Sequence, residues 1–348
     1  MKKVIISVLL LQGFFSVGYA QESANKDFTP SGSVNFKVFS NFHYDMTKDA
    51  IQKSAFELER AYFGYGYKFS KNISAKVTFD VGTNTAGSDY TAYLKAAQLD
   101  WKIADPIKLS FGMIGLKQFN DQEKLWGYRY VYKSQMDEDA FGSSADLGLN
   151  AEIKMHKMIT ANIFMVNGSG YKKVQDSYGQ YRFGGDLIIK PIDGLTLKAY
   201  FDLMPNKFDK YGNDSIIADT STISNLAVFA AYASDKYRFG IEYNVLNNGK
   251  KYSSYASDYN LKGLSFYATY IINKQFEVFA RFDQLASNTL IGKTDPWNIS
   301  KDKNTIVGGV QYSPVKNVKL CLNYRSFNFK KAAVDTKSMI YLNFEYAL

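Results

Sequence analysis

The stretch SMIYLNFEYAL, residues 338–348, shows most plainly which fold the chain adopts. Successive side chains of a β-strand point to opposite faces, so every second residue of this stretch shares one face. That face is wholly apolar and consists of Ile340, Leu342, Phe344, Tyr346 and Leu348. The opposite face carries Asn343 and Glu345. A strand with one apolar and one polar face is typical of a wall that separates lipid from water.

The same alternation recurs along the chain and predicts sixteen strands. On two of them the charged residues Lys76, Asp80, Lys198 and Asp202 all fall on the polar face. A slip of one residue would place these charges in lipid, so the register of each strand is well specified. The predicted strands span residues 32–44, 55–69, 72–82, 92–103, 106–115, 144–154, 158–167, 180–190, 194–204, 223–233, 236–247, 261–272, 275–286, 304–313, 317–328 and 338–348.

Short and long connections alternate between these strands. Turns such as Ser70-Lys71 and Ser234-Asp235 alternate with polar loops such as 248–260 and 287–303. Outer-membrane barrels have short turns on the periplasmic side and long loops outside. The pattern therefore predicts an all-β fold, a transmembrane antiparallel β-barrel of 16 strands. Sixteen strands leave room for an aqueous channel, whereas a barrel of eight is filled by its own side chains.

Aromatic residues support this interpretation by their position. Seven of them fall on apolar faces beside a short turn or the C terminus, namely Tyr67, Phe69, Trp101, Tyr237, Tyr270, Tyr312 and Tyr346. Such rings prefer the interface between lipid and water, so we expect them to form one belt around the barrel. A soluble β-sandwich is the structural alternative. It is disfavoured because the second face repeatedly carries charged residues, which a packed core does not tolerate unpaired.

The N terminus predicts export. Lys2 and Lys3 precede an apolar run at 4–15, and Gly18 and Ala20 supply small residues before a break. This is the pattern of a secretory signal peptide. We therefore expect a cleaved signal peptide at 1–20, a short periplasmic segment at 21–31 and a barrel at 32–348 in the bacterial outer membrane.

Few residues are available for catalysis or for metal binding. One cysteine, Cys321, excludes an internal disulfide and a cysteine-based metal cage. The two histidines, His43 and His156, are far apart in the sequence and lie in no recognisable motif. A hydrolase with a Ser-His-acid triad would have to use one of them. We expect no enzyme activity, no cofactor, no metal ion and no nucleic-acid partner.

The connection between the fifth and sixth predicted strands is unusually long and polar. It reads KQFNDQEKLWGYRYVYKSQMDEDAFG from Lys117 to Gly142 and is the third external loop. We expect it to fold into the lumen and to narrow it, since charged residues at a constriction select ions. Its candidate constriction residues are Lys117, Lys124, Arg129, Lys133, Asp137, Glu138 and Asp139. The alternative is a loop that stays outside and contacts neighbouring barrels.

Basic residues on neighbouring polar faces predict a partner for this loop. The basic arc consists of Lys37, Arg60, Lys76, Lys319 and Arg325, which become adjacent when the barrel closes. If the acidic run of the loop points toward the arc, a transverse field crosses the pore. The alternative is that each base pairs with a nearby acid, as Arg60 would with Glu57 and Glu59.

Several stretches carry a resemblance to a known family. They are FELERAYFGYGYKFSKNISAKVTFDVG (56–82), YLKAAQLDWK (93–102), WGYRYVYKS (126–134), FGSSADLGL (141–149) and NGSGYKK (167–173). In these stretches the chain resembles the phosphate-selective porins, of the porin O/P type, in the broad sense of sixteen-stranded envelope porins. The resemblance implies a passive channel, often trimeric, with the third loop at the constriction. Phosphate-specific members share a dense arginine ladder and a lysine cluster, whereas the loop here is of mixed charge and the inward arginines are scattered.

The sequence as a whole therefore predicts a porin. We expect passive diffusion of small hydrophilic solutes with a weak preference for anions, in a homotrimer surrounded by outer-membrane lipid. The alternatives are a phosphate- or anion-specific channel, a non-conducting structural or adhesion barrel, and a barrel hydrolase.

Overall fold

A computed structural model describes residues 28–51, 53–83, 89–174, 181–205 and 222–348. The predicted signal peptide at 1–20 lies outside the described residues, as does most of the predicted periplasmic segment at 21–31.

Sixteen long strands and one short hairpin make up the described β-structure. All predicted strands are present, and the largest differences are two residues, as at the start of β4, which is predicted at 92 and observed at Tyr90. The hairpin, β12 and β13, was not predicted. In chain order the strands are β1 (Ser31–Asp45), β2 (Ser54–Lys68), β3 (Ile73–Thr83), β4 (Tyr90–Ala104), β5 (Ile107–Gly115), β6 (Ala145–His156), β7 (Ile159–Val166), β8 (Arg182–Ile189), β9 (Leu195–Pro205), β10 (Thr222–Ala233), β11 (Tyr237–Asn247), β12 (Gly249–Lys251), β13 (Ser254–Tyr255), β14 (Leu261–Ile271), β15 (Phe276–Ser287), β16 (Lys303–Tyr312), β17 (Val318–Phe329) and β18 (Lys337–Ala347).

The long strands close into one antiparallel barrel, as predicted. Each pairs with its neighbours in sequence, β11 pairs with β14 across the hairpin, and β1 pairs with β18 to complete the ring. The closing register runs from Lys37 opposite Ala347 to Asp45 opposite Met339. Because a closed barrel has no free edge, backbone amides and carbonyls are paired between strands, which a lipid-facing wall requires.

The two faces of the wall differ in the predicted way. In β18, the apolar residues Ile340 and Tyr346 are 40% and 46% exposed, whereas the inward Asn343 is completely buried. In β9, Phe201 is exposed and Asp202 is buried. The apolar face therefore points outward and the polar face points into the barrel.

Aromatic rings cluster beside the short turns. The ring centroids of Tyr67 and Phe69 are 4.9 Å apart. Those of Tyr237 and Tyr270, on paired strands, are 5.4 Å apart. These contacts on the outer face fit the predicted interface belt.

The connection between β5 and β6 contains two short helices, α1 (Asn120–Trp126) and α2 (Gln135–Glu138). Gly127 ends α1 with a φ of 80°, a left-handed conformation that glycine adopts without strain. Within the described ranges, no helix is both long enough and apolar enough to cross a membrane.

Candidate solute channel

The connection that contains α1 and α2, residues 116–144, is called the third loop below, and it packs against the inner wall of the barrel. The hydroxyl of Tyr130 donates to Gln311 Oε1 at 2.8 Å, and the hydroxyl of Tyr128 donates to Glu277 Oε2 at 2.5 Å. Asn343 Nδ2 donates to the carbonyl of Tyr130 at 3.1 Å. Tyr128 and Tyr130 are completely buried, so this part of the loop is enclosed by the wall.

A second group of contacts holds the part of the loop around α2. The guanidinium of Arg281 on β15 donates to the carbonyl of Lys133 at 2.6 Å and pairs with Asp283 at 2.6 Å. Its Cζ lies 5.0 Å from the ring centroid of Trp126 and 5.2 Å from that of Tyr132. One buried arginine therefore joins both helical parts of the loop to the wall.

A buried lysine on β9 holds α1 from another side of the barrel. Lys198 Nζ lies 2.9 Å from Asp121 Oδ2 and 3.7 Å from Asp186 Oδ2. It also donates to the carbonyl of Lys117. The side chains of Lys198 and Asp186 are each 1% exposed, so the ion pair is shielded from water.

Two apolar clusters fill the lumen between the third loop and much of the wall. The first contains residues of the third loop and of the hairpin, with inward residues of β5, β7, β9, β10, β11, β14 and β15. Its members are Ile114, Leu116, Phe119, Met136, Phe141, Phe164, Val166, Tyr200, Ile223, Ala227, Leu246, Tyr252, Leu261 and Leu285. The second contains Phe39, Trp126, Tyr128, Tyr130, Val131, Tyr132, Phe229, Ala231, Tyr267, Phe279, Val307 and Cys321. Any water-filled path is therefore displaced toward the remaining part of the wall.

A cavity of about 820 Å³ occupies that remaining part, between the third loop and strands β1 to β6, β17 and β18. It extends from Asn317 and Leu348, at the end of the barrel with short turns, up to Asp137 and Lys95. Its basic lining residues are Lys37, Lys76, Lys95, Lys124, Arg129 and Lys319. Its acidic lining residues are Glu123, Asp137 and Glu345. The lining therefore carries more positive than negative charge.

The predicted constriction residues divide into two groups. Lys124, Arg129 and Asp137 line the cavity. Arg129 pairs with Glu123 at 3.0 Å and with Asp137 at 3.3 Å, so its charge is balanced within the loop.

The other four predicted loop residues do not line the cavity. Lys117 pairs with Glu152 at 3.2 Å, and Lys133 lies 3.9 Å from Glu138. Asp139 pairs with Lys303 of β16 at 3.2 Å. The acidic run therefore does not act as one group, because successive residues of a helical turn point about 100° apart.

Three of the five predicted arc residues line the cavity, namely Lys37, Lys76 and Lys319. Lys319 pairs with Glu345 at 2.8 Å. Arg325 donates to Asn323 and Asn343 at 2.9 and 3.0 Å and lies 3.6 Å from the ring centroid of Tyr341, so it is held within the wall.

Arg60 pairs with Asp80 at 2.8 Å. Its partner is therefore an acid on the neighbouring strand, and not Glu57 or Glu59, which the alternative interpretation named. Asp80 of β3 lies opposite Tyr62 of β2, two residues along from Arg60. A diagonal neighbour on the next strand is within reach of a long side chain, and here it is the partner.

Lys95 is a lining residue that the sequence analysis missed. It lies at an irregularity of β4, where the pairing with β3 shifts between Ala96 and Leu94. Inward residues are odd-numbered before this bulge, as at Tyr93, and even-numbered after it, as at Gln98. This change of parity is visible in the sequence and marks the bulge.

Burial raises the pKa of two carboxyl groups in the third loop. The pKa of Glu123 lies above its ordinary value because of burial, although Arg129 opposes the shift. Burial raises the pKa of Asp139 to about 6, although Lys303 opposes that shift. Asp139 therefore gains a proton under mildly acidic conditions.

We expect the ion pair between Asp139 and Lys303 to be formed at pH 8 and lost as the pH falls through about 6. An unfolded aspartate titrates near pH 3.9, so the folded state binds the proton more tightly between these values. The contribution of this group to the free energy of unfolding therefore falls as the pH rises from about 4 to 6. Carboxyl carbon NMR shifts of labelled aspartate, with Asp139→Asn to assign the signal, would measure the midpoint. A midpoint near 4 would contradict the prediction.

The contacts of the two histidines do not form the catalytic triad of a hydrolase. His43 Nδ1 lies 3.0 Å from Asn41 Oδ1, and its ring centroid lies 5.4 Å from that of Tyr341. His156 is exposed at the end of β6 and accepts from the amide of Met158 at 3.3 Å. Neither contact provides a serine nucleophile.

No family model matches the chain, and no curated protein matches it. Solved structures do share its fold. Salmonella typhi OmpF in complex with daunomycin matches with a TM-score of 0.67 at 15% identity, covering 91% of this chain and 97% of that chain. Vibrio cholerae OmpT in a trimer form matches with a TM-score of 0.59 at 11% identity, covering 92% of this chain and all of the other. An anion-selective porin from Comamonas acidovorans matches with a TM-score of 0.61 at 10% identity, covering 92% of this chain and 100% of that chain.

At these identities the likeness concerns the fold. The chain is a closed sixteen-stranded barrel of the kind that outer-membrane porins adopt.

Proposed function

We propose that the protein is a passive outer-membrane channel for small hydrophilic solutes with a weak preference for anions. The observation that carries the proposal is the cavity of about 820 Å³ inside the barrel, whose lining has six basic and three acidic residues. A narrow space with excess positive charge and apolar walls around it raises the local concentration of anions.

The excess charge comes from three lysines. Arg129 is balanced by two loop acids, Lys319 is balanced by Glu345, and Lys95 lies 3.9 Å from Asp80 Oδ2. Lys37, Lys76 and Lys124 make no ion pair with any residue that the structure describes. Their ammonium groups are therefore available to an ion in the cavity.

The same lining argues for a weak preference. Glu123, Asp137 and Glu345 share the cavity with the lysines, so a passing cation also meets opposite charge. Water in the cavity screens these charges, which limits how strongly any one of them acts on an ion. A phosphate-specific channel would need a lining with fewer acids, and this observation favours general diffusion.

Planar bilayers test the proposal. We expect folded protein to give ohmic current steps and a zero-current potential, under a potassium chloride gradient, that indicates weak anion preference. We also expect millimolar phosphate to leave the current in place. Block by micromolar phosphate would favour the specific channel, and cation preference would contradict the proposed role of the lysines. If protein with the electrophoretic mobility of a folded barrel gives no current, a structural or adhesion role would be favoured.

Export and assembly belong to the same proposal. We propose that residues 1–20 are removed, that 21–31 lie in the periplasm, and that the channel is a homotrimer in outer-membrane lipid. The pattern of Lys2, Lys3 and the apolar run supports the first part. N-terminal sequencing of the mature protein and native mass spectrometry would measure the cleavage site and the number of copies.

A further inference from the structure

The connection after β7 turns into the barrel. We call residues 167–174 the fourth loop. Gly168 and Gly170 have φ values of 83° and 78°, which residues with a side chain rarely adopt. The amide of Gly170 donates to Asp146 Oδ2 at 3.0 Å, and the amide of Tyr171 donates to the carbonyl of Ala145 at 3.1 Å. These bonds direct the side chain of Tyr171 across the start of β6.

The phenol of Tyr171 reaches a strand that is far from its own in the barrel. Its hydroxyl donates to Asp80 Oδ2 on β3 at 3.1 Å. Strands β4, β5 and β6 separate β3 from β7. Asp80 is completely buried and also binds Arg60 at 2.8 Å, so its position is fixed. We call the hydrogen bond between Tyr171 and Asp80 the tie.

Cations surround this tie. Lys95 Nζ lies 4.6 Å from the ring centroid of Tyr171 and 3.9 Å from Asp80 Oδ2. Lys172 Nζ lies 4.5 Å from the ring centroid of Tyr93. A cation over an aromatic face is attracted to it. The ring of Tyr171 therefore holds Lys95 in place, in addition to the bond that its hydroxyl makes for the loop.

The tie lies at the end of the channel that is nearer the long loops. Along β3, Lys76 and Thr78 line the cavity, and Asp80 follows them in the direction of the connection at 84–89. Lys95, which touches Tyr171, is itself a lining residue of the cavity. A solute on the proposed path therefore passes Tyr171 at one end of the cavity.

We propose that Tyr171 determines the width and the charge of the channel at this end, by tying the fourth loop to Asp80. The inference rests on the proposed channel function. The hydroxyl of Tyr171 and the guanidinium of Arg60 occupy one oxygen of Asp80, so a passing ion meets Lys95 and Lys172 and is kept from the carboxylate. Loss of the hydroxyl opens this end and exposes the negative charge.

Tyr171→Phe removes the hydroxyl and keeps the ring. We expect it to raise the single-channel conductance and to lower the anion-to-cation permeability ratio about twofold, the effect of one newly exposed charge several ångströms from the ion path. Asp80→Asn is expected to give the same ratio with and without Tyr171→Phe, because the charge that loss of the hydroxyl would expose is then absent. Tyr181→Phe is the matched control, since Tyr181 is exposed and its ring contacts Phe183 on the outer face.

Three results would overturn the proposal. One is unchanged conductance and permeability ratio in both Tyr171→Phe and Tyr171→Ala. Another is a change in Tyr171→Ala alone, which would assign the effect to the volume of the ring. The third is strict additivity of Tyr171→Phe and Asp80→Asn, which would show that the two groups act independently.

Hydrogen exchange measures the tie without any current, so it separates this proposal from the channel function. The amides of Gly170 and Tyr171 are bonded, and we expect peptides covering residues 167–174 to exchange about tenfold faster in Tyr171→Phe, as the loss of a bond to a charged group implies. Unchanged exchange would overturn the tie even if the wild type conducts. Faster exchange in a protein that carries no current would retain the tie and reject the channel.

Discussion

Replacing Lys37, Lys76 and Lys124 together by glutamine is expected to lower the anion-to-cation permeability ratio about fivefold. The three ammonium groups line one cavity and make no ion pair within the part of the chain that the structure describes. We take the combined effect of the three charges to equal that of one unit charge 4 Å from an ion. That charge contributes about 1 kcal/mol in water, which corresponds to roughly fivefold in population. Zero-current potentials under a potassium chloride gradient would measure the change.

A matched triple variant separates local from overall charge. Lys293, Lys330 and Lys331 are exposed residues outside the cavity, and their replacement by glutamine changes the formal charge of the protein by the same amount. We expect this control to retain the wild-type ratio. Molar salt should reduce the difference between the two triples, because the screening length falls to about 3 Å. Equal shifts in both triples would show that net charge, and not the cavity, sets the preference.

Replacing Lys198 by methionine is expected to lower the free energy of unfolding by about 3 to 5 kcal/mol, the usual cost of removing one partner of a buried ion pair. The side chains of Lys198 and Asp186 are each 1% exposed, so the remaining carboxylate has little access to water. The variant also loses the contact of Lys198 with Asp121, which holds α1 of the third loop. Urea unfolding of the barrel in detergent or lipid would measure the loss.

Two further variants test the cause. Lys198→Met combined with Asp186→Asn removes both buried charges and is expected to recover much of the lost stability. Lys190→Met changes an exposed lysine close to the end of β8 and is expected to stay within about 0.5 kcal/mol of the wild type. Single-channel recordings of Lys198→Met should show additional current noise, because α1 is less firmly held. A Lys198→Met variant with the stability and the current noise of the wild type would contradict the anchoring role of Lys198.

The strands could be predicted because lipid and water act on each residue locally. In β18 the alternation of apolar and polar residues alone assigns Ile340 outward and Asn343 inward. A strict alternation does not reveal the bulge in β4. The inward residues change from odd-numbered at Tyr93 to even-numbered at Gln98, which indicates the bulge. One residue inserted into a strand moves every later side chain to the other face, so an unrecognised bulge hides a lining residue such as Lys95.

The charged residues of the lumen were harder to assign. Arg60 has two acids close to it in sequence, Glu57 and Glu59, yet it pairs with Asp80 on the neighbouring strand. Asp137, Glu138 and Asp139 are consecutive, yet they face Arg129, Lys133 and Lys303, respectively. Distance in space selects the partner of a charge, and distance along the chain does not reveal it.

The sequence by itself determined the class of fold, the number of barrel strands, their bounds to within two residues and, apart from the bulge in β4, the face of each that meets lipid. These follow from a period of two residues. Only the tertiary structure decided how far the third loop fills the lumen and which lysines remain unpaired in the cavity. Those outcomes depend on side chains far apart in sequence, such as Tyr130 and Gln311, which become neighbours only when the barrel closes.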